Sequence, residues 1–327
     1  LDSSVQVYLP SPSGEKTVVI KTEQKDGADT NERIVEVWKG ASLTRRIKVG
    51  GKSSHGKIIN DPTGFGMPSW SPSEECLVFS AERLPPASVP FWTNGETTDS
   101  DKNDDDTTQR GGKNVVGVGK SESWGETYSK QEAILDLYVL NLSTGRLGRV
   151  RNVPQTYAKS EEITLGQAAW NPDSSKIAFT GWSAGQPKRL GMVYCKNRAS
   201  RIYESEVGAL LLELTKPEAT EDQIKEDNEE FTCISSDLPY SRSPRYVVGE
   251  DGKERLVFLG SDRAFVSHDA CAGIYRWDDE NQAAENIVPI VEVPSNDGAS
   301  VSGMGFPGLY LNQLPANGDI GDNFLVT

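Results

Sequence analysis

The chain has no run of about 18 apolar residues, so no membrane-crossing helix is expected. It opens on Leu1-Asp2-Ser3-Ser4, without an initiator Met, a basic segment or an apolar segment, so no signal peptide is visible; the sequence reads as a piece of a longer protein. Cysteine is scarce: Cys76, Cys195, Cys233 and Cys271 lie far apart with no C-x-x-C pair. That spacing argues against a metal site and against a disulfide framework, and points to a reducing, cytoplasmic setting. Only two histidines are present, His55 and His268, and neither has a partner at ligand spacing, so both are expected to be ordinary surface or turn residues. Basic residues are also in deficit, 34 against 48 acidic, for a net charge of -14. A nucleic-acid binder needs a basic stripe to displace phosphate counterions, and none exists here, so no nucleic acid and no membrane are expected as partners. A periodic helical pattern of any length is missing as well.

What the sequence does have is a repeat. Trp170-Asn171-Pro172-Asp173-Ser174-Ser175-Lys176-Ile177-Ala178-Phe179 places an aromatic at a strand end, then a turn, then a short strand. Pro172 fixes its own φ and pushes Asn171 out of the helical region, which forces the turn. Ile177 and Phe179 lie two apart and share one face of the strand that follows. The same unit recurs as Trp70-Ser71-Pro72-Ser73-Glu74-Glu75-Cys76-Leu77-Val78-Phe79, in a third form at Pro10-Ser11-Pro12-Ser13-Gly14-Glu15, and in a degenerate form from Ser243 to Leu259. Hairpins close the units, as in Ile34–Trp38 with Leu43–Ile47 and Ile134–Leu142 with Arg146–Val150.

About four short strands per repeat must stack to bury both faces, and radial stacking gives a β-propeller. The expected fold is therefore all-β, a propeller of four-stranded blades with TolB/WD40-like repeats, incomplete in this chain. Approximate blades are 1–60, 61–153, 154–237, 238–293 and an unfinished 294–327. Residues 83–121 read as an acidic low-complexity insertion inside the second blade. The acidic tracts at 93–112 and 213–230 are expected to be solvated loops. Trp70 and Trp170 recur at one repeat position, which favours packing between blades.

Several local motifs invite a chemical reading that their context does not support. Gly181-Trp182-Ser183-Ala184-Gly185 matches a G-x-S-x-G nucleophile elbow, with Asp237, Asp251, Asp262 and His268 downstream in the right order. An elbow needs a helix directly after the serine, whereas Gln186-Pro187-Lys188-Arg189 leads towards another strand; a hairpin turn is expected instead. Asn114–Ser121 nearly spells a phosphate-binding loop but lacks its first glycine and its strand-loop-helix setting. Asp101–Gly112 begins like a calcium loop but has Asp106 where glycine belongs and Gly112 where glutamate belongs. Asn141-Leu142-Ser143 is a sequon that carries meaning only in a secreted chain. No catalytic residue, cofactor-binding residue or metal ligand is assigned to this chain from its sequence, and no cofactor is expected.

The segment Pro187-Lys188-Arg189-Leu190-Gly191-Met192-Val193-Tyr194-Cys195-Lys196-Asn197-Arg198 resembles the acylaminoacyl-peptidase (acyl-peptide hydrolase) family of the prolyl-oligopeptidase group of serine peptidases. Gly166–Trp170, Phe179–Trp182, Ile34–Trp38, His55-Gly56, Phe65-Gly66, Ser69–Ser71, Trp124–Glu126 and Phe306–Tyr310 fall in the same order as in that family. The Trp-x-Pro turn alone is generic to TolB-like and peptidase propellers, so the Arg-Leu-Gly segment carries the resemblance. It implies an N-terminal propeller followed by a C-terminal α/β-hydrolase domain that holds the catalytic Ser, Asp and His. The implied activity is hydrolase action on short N-acylated peptides, releasing N-acylamino acids, in cytoplasmic homo-oligomers. The propeller would cap the active site and restrict access. The competing reading is a free-standing propeller that binds a protein partner. Open sheet edges would leave such a partial propeller poorly stable alone.

Overall fold

The computed structural model describes residues 4–24, 31–49, 55–84, 133–158, 161–185, 198–216, 231–249, 251–262, 271–290, 309 and 313–314. The described residues form four antiparallel sheets in chain order. The first contains β1 (Val5–Pro10), β2 (Lys16–Gln24), β3 (Asn31–Lys39) and β4 (Ser42–Val49). The second contains β5 (Ser69–Trp70), β6 (Cys76–Glu82), β7 (Leu135–Asn141) and β8 (Leu147–Arg149). The third runs through β9 (Thr156–Ala158), β10 (Glu161–Trp170), β11 (Lys176–Ser183), β12 (Ser200–Glu206) and β13 (Phe231–Cys233). The fourth contains β14 (Tyr240–Val248), β15 (Glu254–Ser261), β16 (Gly273–Asp278) and β17 (Ala283–Val288). Within each sheet every strand pairs with its neighbour in sequence. This is an incomplete β-propeller.

The repeated turn has one geometry, built from side-chain acceptors. The hydroxyl of Ser11 accepts from the Lys16 amide at 3.1 Å, the hydroxyl of Ser71 from the Cys76 amide at 3.0 Å, and Oδ1 of Asn171 from the Lys176 amide at 2.8 Å. In each, the fourth residue turns left-handed: Gly14, Glu74 and Ser174 have φ of 74°, 54° and 66°. A short polar side chain at the first position satisfies the amide that the turn would otherwise leave unpaired. Glycine takes the left-handed position without cost at Gly14, while Glu74 and Ser174 hold it against their own Cβ.

Packing follows from the pleat. On β6, Leu77, Phe79 and Ala81 join the core shared with the first sheet, while Cys76 and Val78 join the core shared with the third. Every residue of β6 and β7 is buried, because these strands lie between two neighbouring sheets and are covered on both faces. Ile177 and Phe179 face the second sheet, and Ala178 faces the fourth, as their two-residue spacing requires. The fourth sheet in turn packs Val257, Leu259 and Ile274 against Leu309 and Leu314. The two repeat tryptophans reach backwards across these seams: Trp70 Nε1 donates to the Leu9 carbonyl and Trp170 Nε1 to the Ser69 carbonyl, both at 3.2 Å.

Two features differ from the sequence reading. An eight-residue helix, α1 (Gly208–Thr215), follows β12, where no helical pattern was expected and where Glu213 was assigned to a solvated loop. Its Leu210, Leu211 and Leu214 pack into the core between the second and third sheets, and Gly148 lets Leu210 approach closely. A run of strong helix formers with an apolar face is enough to form one short helix once a sheet is there to receive it. The second difference concerns His55, expected as a surface or turn residue. It is 1% exposed, because Phe79 and Tyr138 close over it from the second sheet.

Candidate functional site

The sheets meet in a polar junction of buried groups. Asp61 builds its first wall: its carboxylate accepts from the amides of Thr63, Gly64 and Phe65, which folds residues 61–66 into a tight loop that leaves the Gly64 and Phe65 carbonyls to bond outside it. Gln167 engages that loop from β10. Its amide donates to the Phe65 carbonyl and its Nε2 to the Gly64 carbonyl, both at 2.7 Å. Its Oε1 accepts from Thr180 Oγ1 at 2.9 Å and from the Ser243 amide at 2.7 Å. Ser243 Oγ accepts from the Leu314 amide at 2.7 Å, and Gln313 Nε2 donates back to the Gly64 carbonyl at 3.2 Å.

The backbone bends to make this possible. Gln167 and Ser243 are left-handed, with φ of 52° and 58°, and each lies at a register shift where its strand bulges against the next. Gly166 has to be glycine here, since a Cβ would lie 2.4 Å from the Phe65 carbonyl oxygen. Beside the junction Arg245 is almost fully enclosed and donates to the Leu314 carbonyl at 2.9 Å; burial draws its guanidinium down to about 10. The junction holds amides, hydroxyls and the Asp61 carboxylate, with one arginine beside it. Among the described residues it has positioning groups and no nucleophile paired with a base.

Of the described members of the G-x-S-x-G reading, Ser183, Asp251 and Asp237 are engaged elsewhere, and Asp262 is exposed just past the end of β15. Ser183 is the last residue of β11, 8% exposed, and its hydroxyl donates to Glu161 and accepts from the Gly185 amide. Asp251 pairs with Arg255 at 2.7 Å in an exposed hairpin, and its carboxyl lies below the usual range chiefly because the Lys253 amide donates to it. Asp237 is exposed and accepts from Ser236. His268, the phosphate-loop-like stretch and the calcium-loop-like stretch lie outside the described residues, as do most of the acidic tracts and residues 187–197 of the diagnostic segment. The sequon residue Asn141 is 5% exposed, and its Oδ1 caps the turn by accepting from the Ser143 and Thr144 amides. Among the described residues no cluster of three or more His, Cys, Asp or Glu could hold a metal ion. No helix is long and apolar enough to cross a membrane among them either.

A second polar cluster guards the point where the chain leaves and re-enters the second sheet. Asp136 on β7 is fully buried and receives Arg83 through two hydrogen bonds, at 2.9 and 2.7 Å, and Arg149 at 2.9 Å. Neither this cluster nor the Gln167 junction was legible in the sequence. The bulged Gly166-Gln167 pair was visible only as part of a strand core.

Residues 2–326 match the family model of the acylamino-acid-releasing enzyme, N-terminal domain. The chain belongs to that family. It is 31% identical over 330 residues to acylamino-acid-releasing enzyme 1 of Oryza sativa subsp. japonica, covering 96% of this chain and 38% of the relative. The acylamino-acid-releasing enzyme of Mus musculus is 26% identical over 309 residues, covering 93% and 37%. Among solved structures, the acylaminoacyl peptidase of Pyrococcus horikoshii matches with a TM-score of 0.40 at 10% identity, over 86% of this chain and 32% of that one. The resemblance carried by residues 187–198 is thus upheld across nearly the whole chain, which spans less than two-fifths of the curated relatives it matches.

Proposed function

We propose that this chain is the non-catalytic propeller of an acylaminoacyl-peptidase-like serine peptidase, and that it caps the active site of a C-terminal α/β-hydrolase domain of the same protein. The reading rests on one observation: the N-terminal-domain family model covers residues 2–326, while relatives extend well beyond the matched part. The engagement of Ser183 with Glu161 rather than with an imidazole fits a part that supplies no nucleophile. The Gln167 junction, which knits the second, third and fourth sheets, fits a rigid wall that admits short N-acylated peptides and excludes folded chains by size. A cytoplasmic homo-oligomer completes the reading.

The test is a size series on the longer gene product. An N-acetylated tripeptide is expected to be cleaved readily and the same N-terminus on a folded protein not at all. Equal rates on both would remove the filter role. No hydrolysis of any acetylated peptide, with no hydrolase region encoded beyond residue 327, would favour a free-standing binding scaffold.

A further inference from the structure

His55 enters the segment that crosses from the first sheet to the second. Its ring lies 4.9 Å from that of Tyr138 and 5.6 Å from that of Phe79. Nδ1 donates to the Gly56 carbonyl at 2.8 Å, which leaves the lone pair on Nε2. Nε2 is buried and has no hydrogen-bond partner among the described residues. The segment is stitched to β6 by three backbone bonds: Gly56 N to Glu82 O, Glu82 N to Lys57 O, and Ile59 N to Ser80 O. Asn60 Nδ2 donates to the Gln6 carbonyl of β1 at 2.7 Å, so the same segment holds both sheets. Ile58 sits in the core between them.

The charged surroundings offer a proton no welcome. Arg33, on β3 of the first sheet, acts on the imidazole as a like charge, and burial already pulls its own guanidinium down. Glu82, on β6, gives its carboxylate to the Lys57 amide and its field to Arg33. From β7 comes the phenol of Tyr138, raised chiefly by burial, with Asp136, Arg83 and Arg149 beyond it. The segment itself carries Lys57 and Asp61, and Lys52 lies outside the described residues.

We propose that His55 is an acid-sensitive latch that closes the seam between the first two sheets when neutral and loosens it when protonated. A proton on Nε2 would place an unpaired N–H and a positive charge between two aromatic rings, beside Arg33, with no acceptor in reach among the described residues. Burial, and secondarily Arg33, hold the imidazole below its ordinary 6.5, against the opposing pull of the Gly56 carbonyl. A lowered folded-state value means the unfolded chain takes up the proton first. The contribution is therefore complete above pH 6.5 and is lost as the pH falls from there through the folded-state value. The inference does not depend on the proposed function.

The chain has two histidines, so the imidazole region of its proton NMR spectrum holds two titrating sets, and His268→Gln leaves the one from His55. The His55 signal is expected to titrate below 6.5. Hydrogen exchange at Gly56 and Ile59, relative to Val78 and corrected for intrinsic rates, should be about tenfold faster at mildly acid pH than at neutral pH. His55→Phe keeps the ring contacts and should abolish that difference. A His55 titration at or above 6.5, protection that does not change with pH, or a pH effect that survives His55→Phe would each overturn the latch. If His55→Phe does not fold, the titration and exchange of the unaltered chain still decide.

Discussion

Gln313 and Gly64 are 249 positions apart, yet Gln313 Nε2 donates to the Gly64 carbonyl at 3.2 Å. The same carbonyl accepts from Gln167. Two amides from distant parts of the chain thus converge on one loop, and Gln167 relays the connection to Ser243 and Leu314. The polar junction, as much as the apolar cores, keeps successive sheets in register.

Removing the relay should be costly. Gln167→Ala takes from the Gly64 carbonyl one of its two side-chain donors and from the Thr180 hydroxyl and the Ser243 amide their shared acceptor, all in a buried setting, and is expected to destabilise the chain by about 2–4 kcal/mol in urea unfolding. Gly166→Ala should act in the same direction, since its Cβ meets a backbone oxygen that cannot step aside. Loss of less than about 0.5 kcal/mol in both would show that the junction is ornamental.

The backward-reaching tryptophans separate a hydrogen bond from bulk. Trp170→Phe keeps most of the ring but leaves the Ser69 carbonyl without its donor, for an expected cost of about 1–2 kcal/mol. Trp170→Ala should cost about 3–5 kcal/mol through the cavity it leaves. Equal losses for the two variants would mean that the indole N–H, and not the ring, carries the contact.

Asp136→Asn should leave Arg83 and Arg149 facing each other over a neutral amide. Both arginines are more than a third exposed or close to it, which softens the penalty by solvent screening, so about 2–3 kcal/mol is expected. Arg149→Met should cost less, because Arg83 still reaches both carboxylate oxygens. A double-mutant cycle checks the coupling.

Burial pushes the Cys76 thiol up to about 11, chiefly by desolvation and further by the Glu75 charge. At pH 8 it is protonated and enclosed, and should resist a thiol-specific reagent until the chain unfolds. Labelling of Cys76 in the native chain at the rate of the half-buried Cys271 would contradict the packing described for β6.

The repeat was readable because its chemistry is local. Asn171, Ser71 and Ser11 each cap an amide five residues on, and the apolar strand behind each turn alternates faces that the sheets then bury. The left-handed backbone at Glu74 and Ser174 left no trace, since neither residue type announces it. The Gln167 junction was hidden for a different reason: apart from Thr180 on the next strand, its partners Gly64 and Ser243 lie 103 and 76 positions away, and only the assembled sheets bring them together. His55 misled because its neighbours in sequence are small and polar, whereas the rings that bury it come from β6 and β7. Helix α1 escaped because eight residues are too few to establish a period.

The central claim is that the chain carries no catalytic serine of its own, and the most direct measurement is labelling of the purified 327-residue chain with a fluorophosphonate probe while following an acetyl-alanine chromogenic substrate. The account predicts no label on Ser183 and no turnover. A label on Ser183 that Ser183→Ala abolishes, together with turnover by the same chain, would contradict it.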